Sequence, residues 1–154
     1  MTARPVEWLE FGGSYSYLDA KYQDFFGTPD ITGVGDFSNN RMRQAPENVW
    51  SAYAQLSHEL PSGDVLTANV SGRHQGKVFT NADNNPLDVI QSYTLGDAWI
   101  SWRSRNRNWE VQAWVKNFTD EAWGTHVYTQ RGNRIAFGTF GPPRQYGLTV
   151  TFEY

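Results

Sequence analysis

The sequence contains no cysteine, only two methionines and no long apolar run. Without cysteine the chain can form neither a disulfide framework nor a Cys-ligated metal site. No stretch approaches the roughly 18 to 20 consecutive apolar residues that a transmembrane helix requires. The formal net charge of -3 provides no excess of positive charge for binding nucleic acid. The first residues lack the basic segment and apolar run of a signal peptide, so we expect either an intracellular protein or part of a longer exported one.

Aromatic side chains are abundant: they make up 16% of the 154 residues, and seven of them are tryptophan. Only 19% of the residues are charged, yet the mean hydropathy is -0.62. A chain that is rich in rings but hydrophilic on average suits β-strands that are apolar on one face only.

Six segments have the two-residue alternation of β-strands, and no segment competes with them as a helix. The predicted strands span residues 6–22, 48–60, 64–78, 90–104, 108–118 and 143–154. Short turns at 61–64 and 104–107 alternate with long connections at 23–47, 79–89 and 119–142. This alternation is typical of transmembrane barrels, which have short periplasmic turns and long extracellular loops. The sequence therefore predicts an all-β antiparallel meander of about six long strands, part of a transmembrane β-barrel, with strands 6–22 and 143–154 as its open edges.

Each predicted strand has an apolar and a polar face. The apolar face is aliphatic in its middle and aromatic toward both ends, like the girdles of membrane barrels. The apolar side chains expected to face lipid are Ala52, Val70, Ile100, Val111, Leu148 and Val150. The polar side chains expected to face the lumen are Gln55, Asn69, Asp97, Gln112 and Thr149. The alternative is a soluble β-sandwich or lipocalin-like barrel whose apolar face is turned inward.

Two C-terminal segments resemble those of TonB-dependent outer-membrane receptors. The segment 117–120, Asn-Phe-Thr-Asp, is similar to the Asn-Leu-Phe-Asp element of that family. The segment 141–147, Gly-Pro-Pro-Arg-Gln-Tyr-Gly, resembles its Gly-x-Pro-Arg-x-Tyr-Gly element, which precedes a final strand ending in an aromatic residue. Tyr154 stands where the family more often has Phe.

The resemblance implies that residues 1–154 are the C-terminal part of the barrel domain of a 22-stranded receptor, with the plug domain and signal peptide outside the chain. It implies a Gram-negative outer membrane and the uptake of a ferric siderophore or another scarce nutrient, driven by the TonB system. Tyr154 and the short turns would be periplasmic, and the long loops extracellular. The implied partners are the plug and remaining strands, outer-membrane lipid and lipopolysaccharide, and the barrel assembly machinery.

The final strand is the predicted assembly signal, because its pattern is similar to the one that the assembly machinery reads in this class of protein. The residues that fit the pattern are Gln145, Gly147, Val150, Phe152 and Tyr154. Strand addition at an exposed edge would be the physical means of recognition. The alternative, an ordinary closing strand, is compatible with it.

The connection 119–142 combines cations with aromatic rings and has no carboxylate between Glu121 and Glu153. We expect its cations, together with one just beyond it, to attract an anionic ferric chelate at the barrel mouth. These cations are His126, Arg131, Arg134 and Arg144. A solvated or lipopolysaccharide-facing loop is the alternative.

Nothing in the sequence indicates an enzyme or a bound cofactor. His58, His74 and His126 lie on separate elements, and no Ser-His-Asp or paired-carboxylate spacing is recognisable. Two other hypotheses stay open. A complete small outer-membrane barrel is disfavoured by the six predicted strands, because such barrels begin at about eight. A soluble carbohydrate-binding β-sandwich would use the many tryptophans as sugar platforms.

Overall fold

The computed structural model describes residues 1–27, 35–130 and 135–154. This part of the chain is built of β-strands and turns and contains no helix, hence no helix that could span a membrane. In chain order the strands are β1 (Thr2–Val6), β2 (Leu9–Tyr17), β3 (Phe26–Gly27), β4 (Gly35–Asp36), β5 (Asn48–Glu59), β6 (Val65–Gln75), β7 (Val78–Phe79), β8 (Val89–Ile90), β9 (Tyr93–Arg103), β10 (Trp109–Lys116), β11 (Gly124–Gln130), β12 (Ile135–Phe140) and β13 (Gln145–Phe152).

Seven of these strands form one antiparallel sheet in the order β1-β2-β5-β6-β9-β10-β13. The ladder between β5 and β6 runs without a bulge from the pair Val49 and Gln75 to the pair Glu59 and Val65, and the ladder between β6 and β9 is equally long. Within the described residues the sheet is not closed, and β1 and β13 are its two edges. The predicted antiparallel meander is therefore confirmed, and the open edges are those expected of a segment cut from a larger barrel.

The prediction for the first strand is wrong in its extent. The sequence predicts a single edge strand over 6–22, but Val6 and Leu9 pair across a two-residue turn, so the edge is β1 and β2 ends at Tyr17. β1 carries Arg4 and Pro5 and has no apolar alternation, which hides it from a periodicity argument. Its pairing comes from backbone hydrogen bonds to β2, supplemented by an exposed ion pair of 2.8 Å between Arg4 and Glu10.

Short turns occupy one end of the sheet, as predicted, and a third one at residues 7–8 extends the alternation. The two turns at 60–64 and 104–108 are joined to each other, because Asp64 Oδ1 accepts a hydrogen bond of 2.9 Å from the backbone N–H of Arg105. The hydroxyl of Ser62 donates to the same carboxylate at 2.9 Å. The hydrogen bond from Ser62 and, to a smaller extent, the one from Arg105 stabilise the carboxylate and hold the pKa of Asp64 below its usual value.

Long connections occupy the other end, and each contains a small hairpin of its own: β3 with β4, β7 with β8, and β11 with β12. The first two connections are bonded together, since Arg41 N donates to Asn84 Oδ1 at 2.7 Å and Asn84 Nδ2 donates back to Arg41 O at 2.9 Å. Among the described residues, the buried hydrophobic side chains are Val78, Ile90 and Leu95. The small core of this chain therefore lies at the loop end of the sheet and not beneath its apolar face.

Candidate functional site

The apolar face of the sheet is exposed. The register places all of the predicted lipid-facing side chains on one face, where Ile100, Ala113 and Leu148 form one continuous row across three strands. Ile100 is 52% exposed and Leu148 67% exposed. A soluble β-sandwich would bury such a face against a second layer, and a contiguous apolar surface of this kind marks an interaction with lipid or protein.

The polar face is the more enclosed of the two. Gln55, Asn69 and Trp99 lie in register on it, and Ser101 is only 6% exposed. Toward the short turns this face borders a cleft of about 710 Å³. The residues lining the cleft include Gln55, Glu59, Thr67, Trp99, Ser101, Arg103, Arg105 and Glu110. The predicted lumen-facing residues also share this face. Trp114 is the cross-strand partner of Trp99, and Gln112 lies on the same face of β10 because it is two residues from Trp114. Thr149 is the partner of Gln112 on β13 and so lies on this face too.

Two indoles on the polar face were not identified by sequence reasoning. Trp99 and Trp114 are direct cross-strand partners on β9 and β10. Their spacing in the sequence is enough to place them on the polar face. Trp99 is two residues from Asp97 and Trp114 is two residues from Gln112, and side chains two residues apart on a strand share a face.

The final strand, β13, pairs with β10 in perfect register from Gln145 with Lys116 to Phe152 with Trp109. Gly147 lies opposite Trp114, whose ring occupies the space above it: a Cβ at this glycine would lie 2.5 Å from Trp114 Cζ2. The indole Nε1 also donates to Thr149 Oγ1 at 3.3 Å. An aromatic ring placed over a glycine pins the register of two strands. The glycine of the predicted assembly signal thus also has a packing role in the wall.

We expect Gly147→Ala to destabilise the complete protein by about 1 to 2 kcal/mol, because the added methyl group forces the Trp114 ring out of its position. The measurement is a double-mutant cycle with Trp114→Ala, read as free energy of unfolding in detergent. If the indole is the cause, Gly147→Ala is nearly neutral in the Trp114→Ala background. An equal effect in both backgrounds would contradict the packing explanation.

Asn117 closes the base of the third long connection. It is 4% exposed and adopts a left-handed conformation with φ of 49°, which Asn tolerates better than most residues. Its Nδ2 donates to Glu121 O at 3.0 Å and to Pro142 O at 3.4 Å, and its Oδ1 accepts from Glu121 N at 3.0 Å. Its own N–H donates to Asp97 Oδ1 at 2.8 Å. One side chain therefore joins the end of β10, the start of the loop and the approach to β13.

The second half of this base is formed by residues from both C-terminal motifs. Asp120 Oδ1 accepts from Arg144 N at 3.0 Å, and the two side chains form an exposed ion pair at 3.8 Å. Gly141 N donates to Trp123 O at 2.9 Å, and a Cβ at Gly141 would overlap the Trp123 indole. We call this group of residues (Asn117, Asp120, Trp123, Gly141, Pro142 and Arg144) the loop clasp.

The two described members of the predicted chelate-binding set, His126 and Arg144, are not brought into contact. His126 is exposed on β11, whereas Arg144 belongs to the loop clasp and pairs with Asp120. Arg131 and Arg134 lie outside the described residues. No described pair of these four is shown in contact, so the substrate-contact role of this loop stays a prediction.

We expect Asn117→Asp to destabilise the complete protein by about 1 to 2 kcal/mol, because the carboxylate cannot donate to the two backbone carbonyls that it would then face. Protease digestion of the folded protein should report the loosened clasp as faster cleavage within 119–142. The matched control is Asn108→Asp, which changes an asparagine in a short turn. Unchanged cleavage in Asn117→Asp would contradict the proposed closing role of this side chain.

Two cations on the polar face lie over indoles near the loop end. The guanidinium of Arg73 is 5.4 Å from the centre of the Trp123 ring, and Lys116 Nζ is 5.7 Å from that of Trp114. Tyr93 lies beside Trp123 with ring centres 5.2 Å apart. Within the described ranges neither Arg73 nor Lys116 forms an ion pair. The same ranges contain no group of three or more His, Cys, Asp or Glu side chains that could hold a metal ion. The sequence did not predict Arg73 and Lys116 as binding residues, because the predicted cations were those in and just beyond the connection 119–142 and not those of the strands.

No protein-family profile matches the sequence, and no curated protein sequence matches it. Solved structures do match. The siderophore receptor PiuA from Acinetobacter baumannii superposes with a TM-score of 0.78 at 20% identity, over 99% of this chain and 20% of the receptor. The ferric yersiniabactin uptake receptor FyuA from Yersinia pestis gives a TM-score of 0.79 at 12% identity, over 99% of this chain and 22% of the receptor. The ferric preacinetobactin receptor BauA from Acinetobacter baumannii gives 0.70 at 20% identity, over 98% of this chain and 20% of the receptor.

These three structures are all described as receptors, and this chain spans about a fifth of their length. The agreement concerns the fold, which the seven-stranded open sheet shares with one stretch of barrel wall. The chain therefore has the fold of a segment of a TonB-dependent receptor β-barrel, as its C-terminal motifs predicted.

Proposed function

We propose that this chain is the C-terminal part of the barrel of an outer-membrane receptor that takes up a ferric siderophore with the energy of the TonB system. The observation that carries the proposal is the structural match over 99% of the chain to proteins described as a siderophore receptor and a ferric yersiniabactin uptake receptor. The exposed apolar face fits a wall in contact with outer-membrane lipid and lipopolysaccharide. The polar face and its cleft fit a lumen occupied by the plug domain of the same receptor.

Within this function, we place the contact with an anionic ferric chelate on the polar face, at Arg73 and Lys116. Arg73 lies over Trp123 at the loop end, and Lys116, the last residue of β10 at that end, lies over Trp114; neither cation has a carboxylate partner among the described residues. An unpaired cation attracts anions more strongly than one that is neutralised by a neighbour. His126, exposed on β11, would then add to the same positive field.

The test uses the complete receptor in a strain that lacks its own iron-uptake receptors. Uptake of radioactive iron is measured with anionic hydroxamate, catecholate and carboxylate chelates. We expect one class to be transported, and the double variant Arg73→Gln with Lys116→Gln to raise the KM for that class while the amount of receptor is unchanged. The control is Arg105→Gln, which removes an exposed cation from a short turn. Absence of uptake of every chelate would contradict the proposed transport function.

We also propose that β13 acts as the signal read by the barrel assembly machinery. The supporting observations are that one edge of β13 has no partner among the described residues and that seven of its eight residues are exposed. A free strand edge with alternating hydrophobic side chains is suited to recognition by strand addition.

A further inference from the structure

The hairpin formed by β11 and β12 stands directly on the hairpin formed by β10 and β13. β11 follows β10 after the loop clasp, and only residues 141–144 separate β12 from β13. The hydrogen bond of 2.9 Å from Gly141 N to Trp123 O draws the two bases together. Consequently β11 continues the line of β10, and β12 continues the line of β13, beyond the end of the sheet.

The two strands of this upper hairpin have different surroundings. β11 lies against β8, and its Thr129 is 4% exposed and donates to Leu87 O at 3.5 Å. β12 pairs with β11 alone among the described residues, and each of its six residues is exposed. The free edge of β12 therefore lies on the same flank as the free edge of β13.

The edge of β12 lacks the features that protect a free strand. Its sequence, Ile-Ala-Phe-Gly-Thr-Phe, contains no charge and no proline, and Phe137 is 55% and Phe140 74% exposed. Native proteins guard permanent edges with lysine, proline, bulges or a covering segment, because an unguarded apolar edge pairs with other chains. The composition of β12 thus indicates a strand that is covered in the complete protein.

From the proposed function, on which this inference rests, one segment is in position to cover it. A transmembrane barrel has no free edge in the bilayer, so β13 must pair with the first strand of the same barrel. With an even number of strands that partner is antiparallel to β13 and runs from the short-turn end toward the loops. We infer that the extracellular continuation of the first barrel strand pairs with β12, so that the closing seam of the barrel extends above the membrane into the last hairpin.

Hydrogen exchange of the complete receptor, read residue by residue, tests the inference. In an antiparallel pair only alternate residues direct their N–H groups to a given partner. If β12 pairs on both sides, the amides from Ala136 to Phe140 are protected consecutively. If β12 pairs with β11 alone, protection alternates along the strand, and the inference is overturned.

β13 serves as the internal control in the same experiment. Consecutive protection of both strands supports the inference. Consecutive protection of β13 with alternating protection of β12 overturns the inference and leaves the closed barrel intact. Alternating protection of both strands shows that the barrel does not close at β13, which contradicts the proposed function itself.

Disulfide formation identifies the partner. Ala136→Cys is combined with single cysteines placed along the continuation of the first barrel strand, and Thr125→Cys on β11 is the matched control. We expect an intramolecular disulfide for Ala136→Cys at one register and none for Thr125→Cys. A dimer on a non-reducing gel would show a second copy on the edge instead, and equal cross-linking by both positions would show no ordered partner; either result overturns the inference.

Discussion

Val150→Arg is expected to lower the free energy of unfolding of the complete receptor by about 2 to 4 kcal/mol, while Thr149→Arg should have a much smaller effect. Val150 is 56% exposed on the apolar face, where it pairs with Val111 between the aromatic positions Tyr146 and Phe152. A charge at that depth loses its hydration when it faces lipid. Thr149 points to the opposite face, beside Gln112, where an arginine can remain hydrated.

Denaturant unfolding of the receptor in phospholipid vesicles, followed by tryptophan fluorescence, measures the difference between the two variants. Spin labels provide an independent readout of facing. Labels at positions 70, 100 and 150 should be accessible to a lipid-soluble relaxation agent, and labels at 69, 97 and 149 to a water-soluble one. The reverse pattern would show that the apolar face lines the interior.

The double variant Phe152→Ser with Tyr154→Ser should reduce the amount of receptor in the outer membrane severalfold. Phe152 lies on the apolar parity of β13, where its ring packs against Trp109 with centres 4.7 Å apart, and Tyr154 follows two residues after the end of that strand. A recognition strand must present alternate hydrophobic side chains to the edge of its partner. Thr149→Ser with Thr151→Ser changes the other face of the same strand, so this variant should reach the membrane at the normal level. Quantitative immunoblots of outer-membrane fractions provide the comparison.

A second measurement separates assembly from simple wall stability. Both double variants are refolded from urea into detergent micelles in the absence of any assembly machinery. If the aromatic pair is a signal, the two variants refold with similar yields and differ only in cells. Similar amounts in cells would instead show that the end of β13 is an ordinary wall strand.

The sequence by itself determined the strands of the wall and their faces, because side chains alternate strictly along a strand and this information is local. Val150 and Thr149 needed no tertiary information to be placed on opposite faces. The alternation of short turns with long connections similarly predicted the meander, and the segments 117–120 and 141–147 predicted the barrel family whose fold the chain shares. The limit of the local argument appears at residues 2–8, where pairing rests on backbone hydrogen bonds and not on an apolar pattern.

Only the tertiary structure decided how the loop end is built, because its contacts join residues that are far apart in the chain. Asn117 meets Pro142 across 25 positions, and Arg144 meets Asp120 across 24, so an arginine predicted as a chelate contact is also part of the loop clasp. The position of Trp114 over Gly147 depends on the register of β10 with β13. A two-residue period specifies which face a side chain occupies, whereas its neighbours on that face are fixed by strand register and loop packing, which are non-local.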